Sequence, residues 1–238
     1  MEAPNSIAEI RASATSSHGE GTQYIRSYIM STARNLTRLE IDAAVALRQT
    51  DLLDRMEAAV EGVRQRMVRA SHCLQAASIP HAIAGGNAVA AWVATVDPSA
   101  ARNTQDVDIL ARKEDLPKIV AALCSVGFVH RQVLGVDVFL DGPDAMPSQA
   151  VHVVWAGQKV KEHYVEPAPD TSCCLLINGL QMLELPALVR MKLTSFRDKD
   201  RTHIRDLIGV GLVTNDWLER LPPALAERLR QLLADPEG

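Results

Sequence analysis

Asp106 and Asp108 stand two residues apart in the string Asp106-Val107-Asp108-Ile109-Leu110. Side chains on a strand alternate with period two, so in an extended run both carboxylates project from one face. Like charges so placed repel, and a carboxylate beside a packed core is costly unless its charge is compensated. A hard divalent cation such as Mg2+ relieves both problems. The alternatives are solvated carboxylates at an exposed strand end, or pairing with Arg102 or Arg112. Upstream, Gly85-Gly86 separates a short apolar run from the apolar segment Asn87 to Val96. Glycines between a strand and a helix let the backbone approach a phosphate, and the helix N-terminus offers free N–H groups and the positive end of a dipole. Asn87 is a short polar side chain suited to capping that helix. The same glycines also suit a tight turn that binds nothing. Together the two features describe a metal-dependent site for phosphates.

Several other residues are candidates for the same pocket. Thr104 shares the side-chain parity of both aspartates if the strand begins early, and Arg102 could bind a phosphate or pair with an acid. His152 lies in the apolar run Ala150 to Ala156, where an isolated histidine is more often hydrogen-bonded than a ligand. Asp137 is another strand-borne acid, compatible with a solvated face. The charged stretch from Arg190 to Asp200, followed by His203 to Leu207, reads by itself as a solvated helix face.

The elements that position these residues alternate along the chain. Residues 1–22 are rich in Ser, Ala, Gly, Glu and Thr and lack periodicity, as expected of a mobile tail. Residues 23–79 form an N-terminal helical region of one or two helices, with Leu52, Met56, Val60, Val63 and Met67 as a helical stripe. A core over 80–185 begins with a strand at His81 to Ala84, a helix at Asn87 to Val96 and a strand at Asp106 to Ala111. A helix over Glu114 to Val126 stops at Gly127. Strands are expected at Val136 to Leu140 and Ala150 to Ala156, and a hairpin around Asn178-Gly179. The region 186–238 reads as helices, opened by Pro186 and broken at Gly209, Gly211 and Pro222-Pro223.

Composition narrows the partners. The 238 residues carry a net charge of −4 and three each of Trp, Tyr and Phe. Neither a chain-wide basic surface nor a base-stacking platform for single-stranded nucleic acid is expected. No apolar run approaches the roughly 18 residues of a membrane helix, and no signal-peptide segment is visible, so a cytoplasmic location is expected. The four cysteines, Cys73, Cys124, Cys173 and Cys174, lack zinc-type spacing and are expected to be small buried hydrophobes.

Gly85-Gly86, the ten-residue helix and the Arg102-x-Thr104-x-Asp106-x-Asp108 string together resemble the nucleotidyltransferase superfamily, the DNA polymerase β-like fold. The resemblance looks closest to abortive-infection-type toxin and minimal bacterial nucleotidyltransferases. Lys192, Arg197, Lys199-Asp200 and Asp206-Leu207 look like the C-terminal signature of that group, so the likeness covers about residues 80–212. It implies an α/β (α+β) fold, with a small mixed sheet flanked by helices and extra helices at both ends. It also implies transfer of a nucleoside monophosphate from a nucleoside triphosphate, ATP among the candidates, to an acceptor hydroxyl on tRNA, a protein or a small molecule. Asp106 and Asp108 would hold Mg2+ or Mn2+. Gly85, Gly86 and Asn87 would cradle the phosphates, with Arg102, Thr104 and Lys192 as further nucleotide contacts. The third acid of the family falls at His152, and a neutral imidazole is a poor Mg2+ ligand. Three readings follow: a two-carboxylate site, a histidine base toward the acceptor, or a catalytically inactive nucleotide-binding or interaction protein whose N-terminal helices dock a partner.

Overall fold

The computed structural model describes residues 38–133 and 135–236. The tail expected over 1–22, and 23–37 of the expected helical region, lie outside the described residues. The chain divides into two units, one ending at Glu57 and one running Ala58–Gly238. A single helix, α1, runs Arg38–Ala76. In the first unit its Leu52, Leu53 and Met56 are exposed, so the expected apolar stripe is not a buried face there. In the second unit Val63 and Met67 pack against the core, and Ala70 and Leu74 are fully buried.

The second unit is built on one mixed sheet of seven strands, flanked by helices as expected. The strands are β1 (His81–Ile83), β2 (Val107–Ala111), β3 (Val129–Val133), β4 (Val136–Leu140), β5 (Ala150–Trp155), β6 (Cys174–Ile177) and β7 (Leu180–Leu183), in spatial order β3-β4-β5-β2-β1-β7-β6. β2 runs parallel to β5 and antiparallel to β1. The helices are α2 (Gly85–Ala94), α3 (Leu116–Ser125), α4 (Leu185–Ser195), α5 (Asp198–Gly209) and α6 (Pro223–Ala234). Asn178 and Gly179 both take positive φ, 49° and 81°, which is the two-residue turn that Asn-Gly favours between β6 and β7. β3 was not expected from the sequence. It is an edge strand with Arg131, Gln132 and Val133 exposed, so it carries no apolar alternation to read.

Register decides what each sheet face carries. Asp108 pairs with His152, and His152 with Val138, so these three share a face. Ile83, Ile109, Val151 and Phe139 occupy the other face and are all buried. That apolar face looks toward α1, where His81 is hydrogen-bonded to Ser71 at 2.8 Å. α1 in turn touches α3, through the Cys73 thiol donating to the Ala122 carbonyl. Helix α2 packs against β2, α4 and α5, and so roofs the polar face. Asp137 lies on the apolar face with its carboxylate buried against His130 Nε2 at 2.9 Å, not on a solvated face. The cysteines are free thiols, three half-buried and Cys124 exposed, which departs from the buried hydrophobes expected.

Candidate active site

Gly85 and Gly86 do not precede the helix; they are its first two residues, both buried. Gly85 adopts φ +65°, and a Cβ there would run into the Asp108 carboxylate. A Cβ on Gly86 would sit 3.1 Å from the Thr104 side chain. The glycines therefore allow α2 to begin directly on β2. Asn87, two residues into α2, does not cap the helix. Its Nδ2 donates instead to the Asp106 carbonyl at 2.7 Å. The Ala84 amide donates to the Asp108 carbonyl at 2.9 Å, and the buried Arg66 of α1 reaches the Gln105 carbonyl at 3.4 Å. Anchors at Gln105, Asp106 and Asp108 thus hold the backbone that presents both aspartates.

Asp106 and Asp108 are half-buried, and both line two adjoining cavities. Among the described residues neither carboxylate has an ion-pair or hydrogen-bond partner. The arginines offered by the sequence are engaged elsewhere, Arg102 with Asp206 at 2.7 Å and Arg112 with Asp170 at 3.5 Å. The first cavity, about 530 Å³, is bounded by His152, Trp155, Tyr164, Lys192 and Arg197. The second, about 390 Å³, is bounded by Gly86, Arg102, Thr104, Lys199 and His203, with Lys192 common to both. His152 stands beside Asp108 on the next strand, and its Nε2 lies 3.4 Å from the Pro147 carbonyl.

The stretch from Lys192 to Asp200 is not a solvated face. Phe196 takes φ +48° at the end of α4, which turns the chain so that α5 starts two residues later. Asp200, fully buried, thereby returns onto Lys192, which is 4% exposed; Lys192 Nζ donates to it at 3.2 Å. Ser195 Oγ and Arg197 Nε add hydrogen bonds at 2.8 and 2.6 Å, and the Arg197 amide adds another at 3.3 Å. Burial by itself would raise the Asp200 pKa, but the Arg197 hydrogen bond and the Lys192 charge outweigh it and bring it to about 2. Burial pushes Lys192 down, against the pull of Asp200 and Asp108. Asp200 is therefore a fully engaged anchor, leaving the Lys192 charge between the two cavities.

Among the described residues no group of three or more His, Cys, Asp or Glu side chains is arranged to hold a metal. Two unpaired carboxylates nonetheless suit Mg2+, which commonly takes one or two protein carboxylates and completes its shell with water and substrate phosphates. Every residue singled out from the sequence for nucleotide or metal contact, except Asn87, lines one of these two cavities. Sequence reasoning missed Tyr164, His203 and the anchor Arg66. For His203 a signal was present, since Lys199, Thr202, His203 and Asp206 recur at helical spacing; Arg66 and Tyr164 carried none.

No family model matches the chain, and neither does any curated protein. Solved structures similar to it include an antigenic nucleotidyltransferase-like protein from Paracoccidioides brasiliensis, at 20% identity over 74% of this chain and 89% of that one, TM-score 0.48. The antibiotic-resistance factor ANT(2'')-Ia in complex with adenylyl-2''-tobramycin is similar at 14% identity over 70% and 97%, TM-score 0.46. JHP933 from Helicobacter pylori is similar at 18% identity over 75% and 74%, TM-score 0.43.

Proposed function

We propose that the chain is a metal-dependent nucleotidyltransferase, moving a nucleoside monophosphate from a nucleoside triphosphate to an acceptor hydroxyl. One observation carries this reading. Asp106 and Asp108 are half-buried, make no hydrogen bond or ion-pair contact among the described residues although Lys192 and Arg197 act on Asp108 through space, and open into two cavities where α2 begins. Carboxylates left unneutralised beside a cationic lysine and a helix N-terminus suit a phosphate-bound cation better than a structural role.

Asp106 and Asp108 would hold the cation, which when bound would reduce the charge on the phosphates and favour in-line displacement. The acceptor oxygen forms a bond to the α-phosphorus, the bond from that phosphorus to the bridging oxygen breaks, and pyrophosphate leaves. The hydroxyl proton passes to His152, which adjoins Asp108 on the first cavity. Lys192 offsets charge on the departing phosphates, and the amides at Gly85 and Gly86 supply donors. The acceptor decides whether the role is toxin-like or that of a modifier.

A second reading is a nucleotide-binding protein without transfer activity. The feature that favours it is His152 standing where the resembled family has a third carboxylate. The deciding assay uses labelled nucleoside triphosphates with Mg2+ or Mn2+ and candidate acceptors. We expect label transfer by the wild type, and a loss of about 10²-fold or more in Asp108→Ala. Transfer by that variant at the wild-type rate would overturn the reading, and binding without transfer by the wild type would favour the second.

A further inference from the structure

Helix α5 has two distinct faces. Asp200, Ile204 and Leu207 are buried, whereas Lys199, Thr202, His203 and Asp206 follow the i, i+3, i+4, i+7 spacing of a single polar stripe. Lys199, Thr202 and His203 line the cavity of about 390 Å³ shared with Gly86 and the two aspartates. Asp206 accepts from Arg102, which itself lines the cavity. His203 makes no hydrogen bond to any described residue. Its Nδ1 is enclosed and without a partner, so Nε2 is the ring nitrogen left for the cavity.

The surroundings assign the proton. Lys192, Lys199 and Arg197 place positive charge around the ring, partly opposed by the Asp200 carboxylate, and an enclosed nitrogen near cations is better left as a lone pair than as an unpaired N–H. The proton of the neutral imidazole then resides on Nε2. We infer that the Nε2–H of His203 donates to the terminal phosphate of a nucleoside triphosphate in this cavity and so selects triphosphates over diphosphates. The inference rests on the transferase reading.

Burial, and then the charge of Lys192, hold the His203 pKa down to about 4, so the ring is an uncharged donor near neutral pH. Arg102 is bound to Asp206 and Lys192 to Asp200, while Lys199 is a flexible ammonium with no ion-pair partner among the described residues. A fixed ring N–H adds direction where those cations add charge.

Calorimetric titration of the whole protein tests the assignment, in the presence of Mg2+. The probes are the α,β-methylene analogues of ATP, GTP, CTP and UTP and the corresponding nucleoside diphosphates. For whichever base binds, His203→Ala should weaken the triphosphate by about 10-fold, the scale of one hydrogen bond to a charged group. The diphosphate should stay within about 2-fold. His203→Gln, which retains an uncharged N–H, should recover most of the affinity, and His203→Phe serves as the donor-free variant if His203→Ala fails to fold. Equal weakening of both ligands, or of neither, overturns the inference and leaves the transferase reading intact. If the wild type binds no triphosphate analogue, the transferase reading fails, and this assignment with it.

Discussion

Asp108 and His152 are cross-strand neighbours, so the imidazole stands where it can act beside the carboxylates without replacing one of them. A base and a ligand predict different kinetics. As a base, His152→Ala should lower kcat by about 10²–10⁴ while leaving the Mn2+ dependence and the triphosphate KM within about threefold. Assays of kcat across a Mn2+ titration check this. A parallel loss of metal affinity would make His152 a ligand, and an unchanged kcat would exclude it from proton transfer. Asp137, by contrast, is committed to His130 on the opposite face and has no part in the site.

At the scale of elements, the site depends on how closely α2 begins on β2. Gly85 is both left-handed and in the space a Cβ would need beside Asp108. Gly85→Ala should therefore cost about 1–2 kcal/mol from backbone strain, with more from the displaced carboxylate. The melting temperature should fall by several degrees, about 2–4 °C per kcal/mol for a domain of this size, and transfer should be largely lost. Gly86→Ala is the internal comparison, because the nearest atoms its Cβ would meet are those of the Thr104 side chain, at 3.1 Å, and its φ is not positive. Thermal melts and transfer assays on both variants check the contrast; equal effects would mean that the Asp108 contact is not what Gly85 protects. The α4–α5 corner is the second such device, since the left-handed Phe196 brings Asp200 onto Lys192.

For the whole molecule the testable consequence is the response to acid. The folded His203 titrates at about 4 against an ordinary 6.5, so between those values the unfolded chain takes up a proton that the folded one does not. Stability should fall as pH drops from about 6.5 toward 4, by at most about 1.4 kcal/mol per pH unit. Asp200, at about 2 against 3.8, extends the loss below pH 4, because its contribution is present above 3.8 and disappears as pH falls through 2. Denaturant unfolding at a series of pH values should show both phases, and His203→Gln should reduce the upper one, leaving the share of His81, which burial also holds below 6.5. A pH-independent difference between that variant and the wild type would contradict the neutral, half-buried ring. The net charge of −4 does not foreshadow any of this, since Lys192 and Lys199 act locally where the polar face of the sheet meets α5.

Much of the architecture was legible because it rests on local rules. Short apolar runs placed β2 and β5, Asn178-Gly179 announced its hairpin, and two aspartates at spacing two beside a glycine pair marked the site. Edge strand β3 escaped, having only one neighbour to satisfy. Non-local contacts decided the rest. Whether Arg102 and Arg112 would neutralise the aspartates depended on Asp206 and Asp170, distant in sequence and close in space. Lys192 and Asp200 read as surface charges until the turn at Phe196 buried them together. Sequence spacing determines which side chains share a face; only the packing of one element on another decides which charges remain unpaired, because partners are chosen by distance in space.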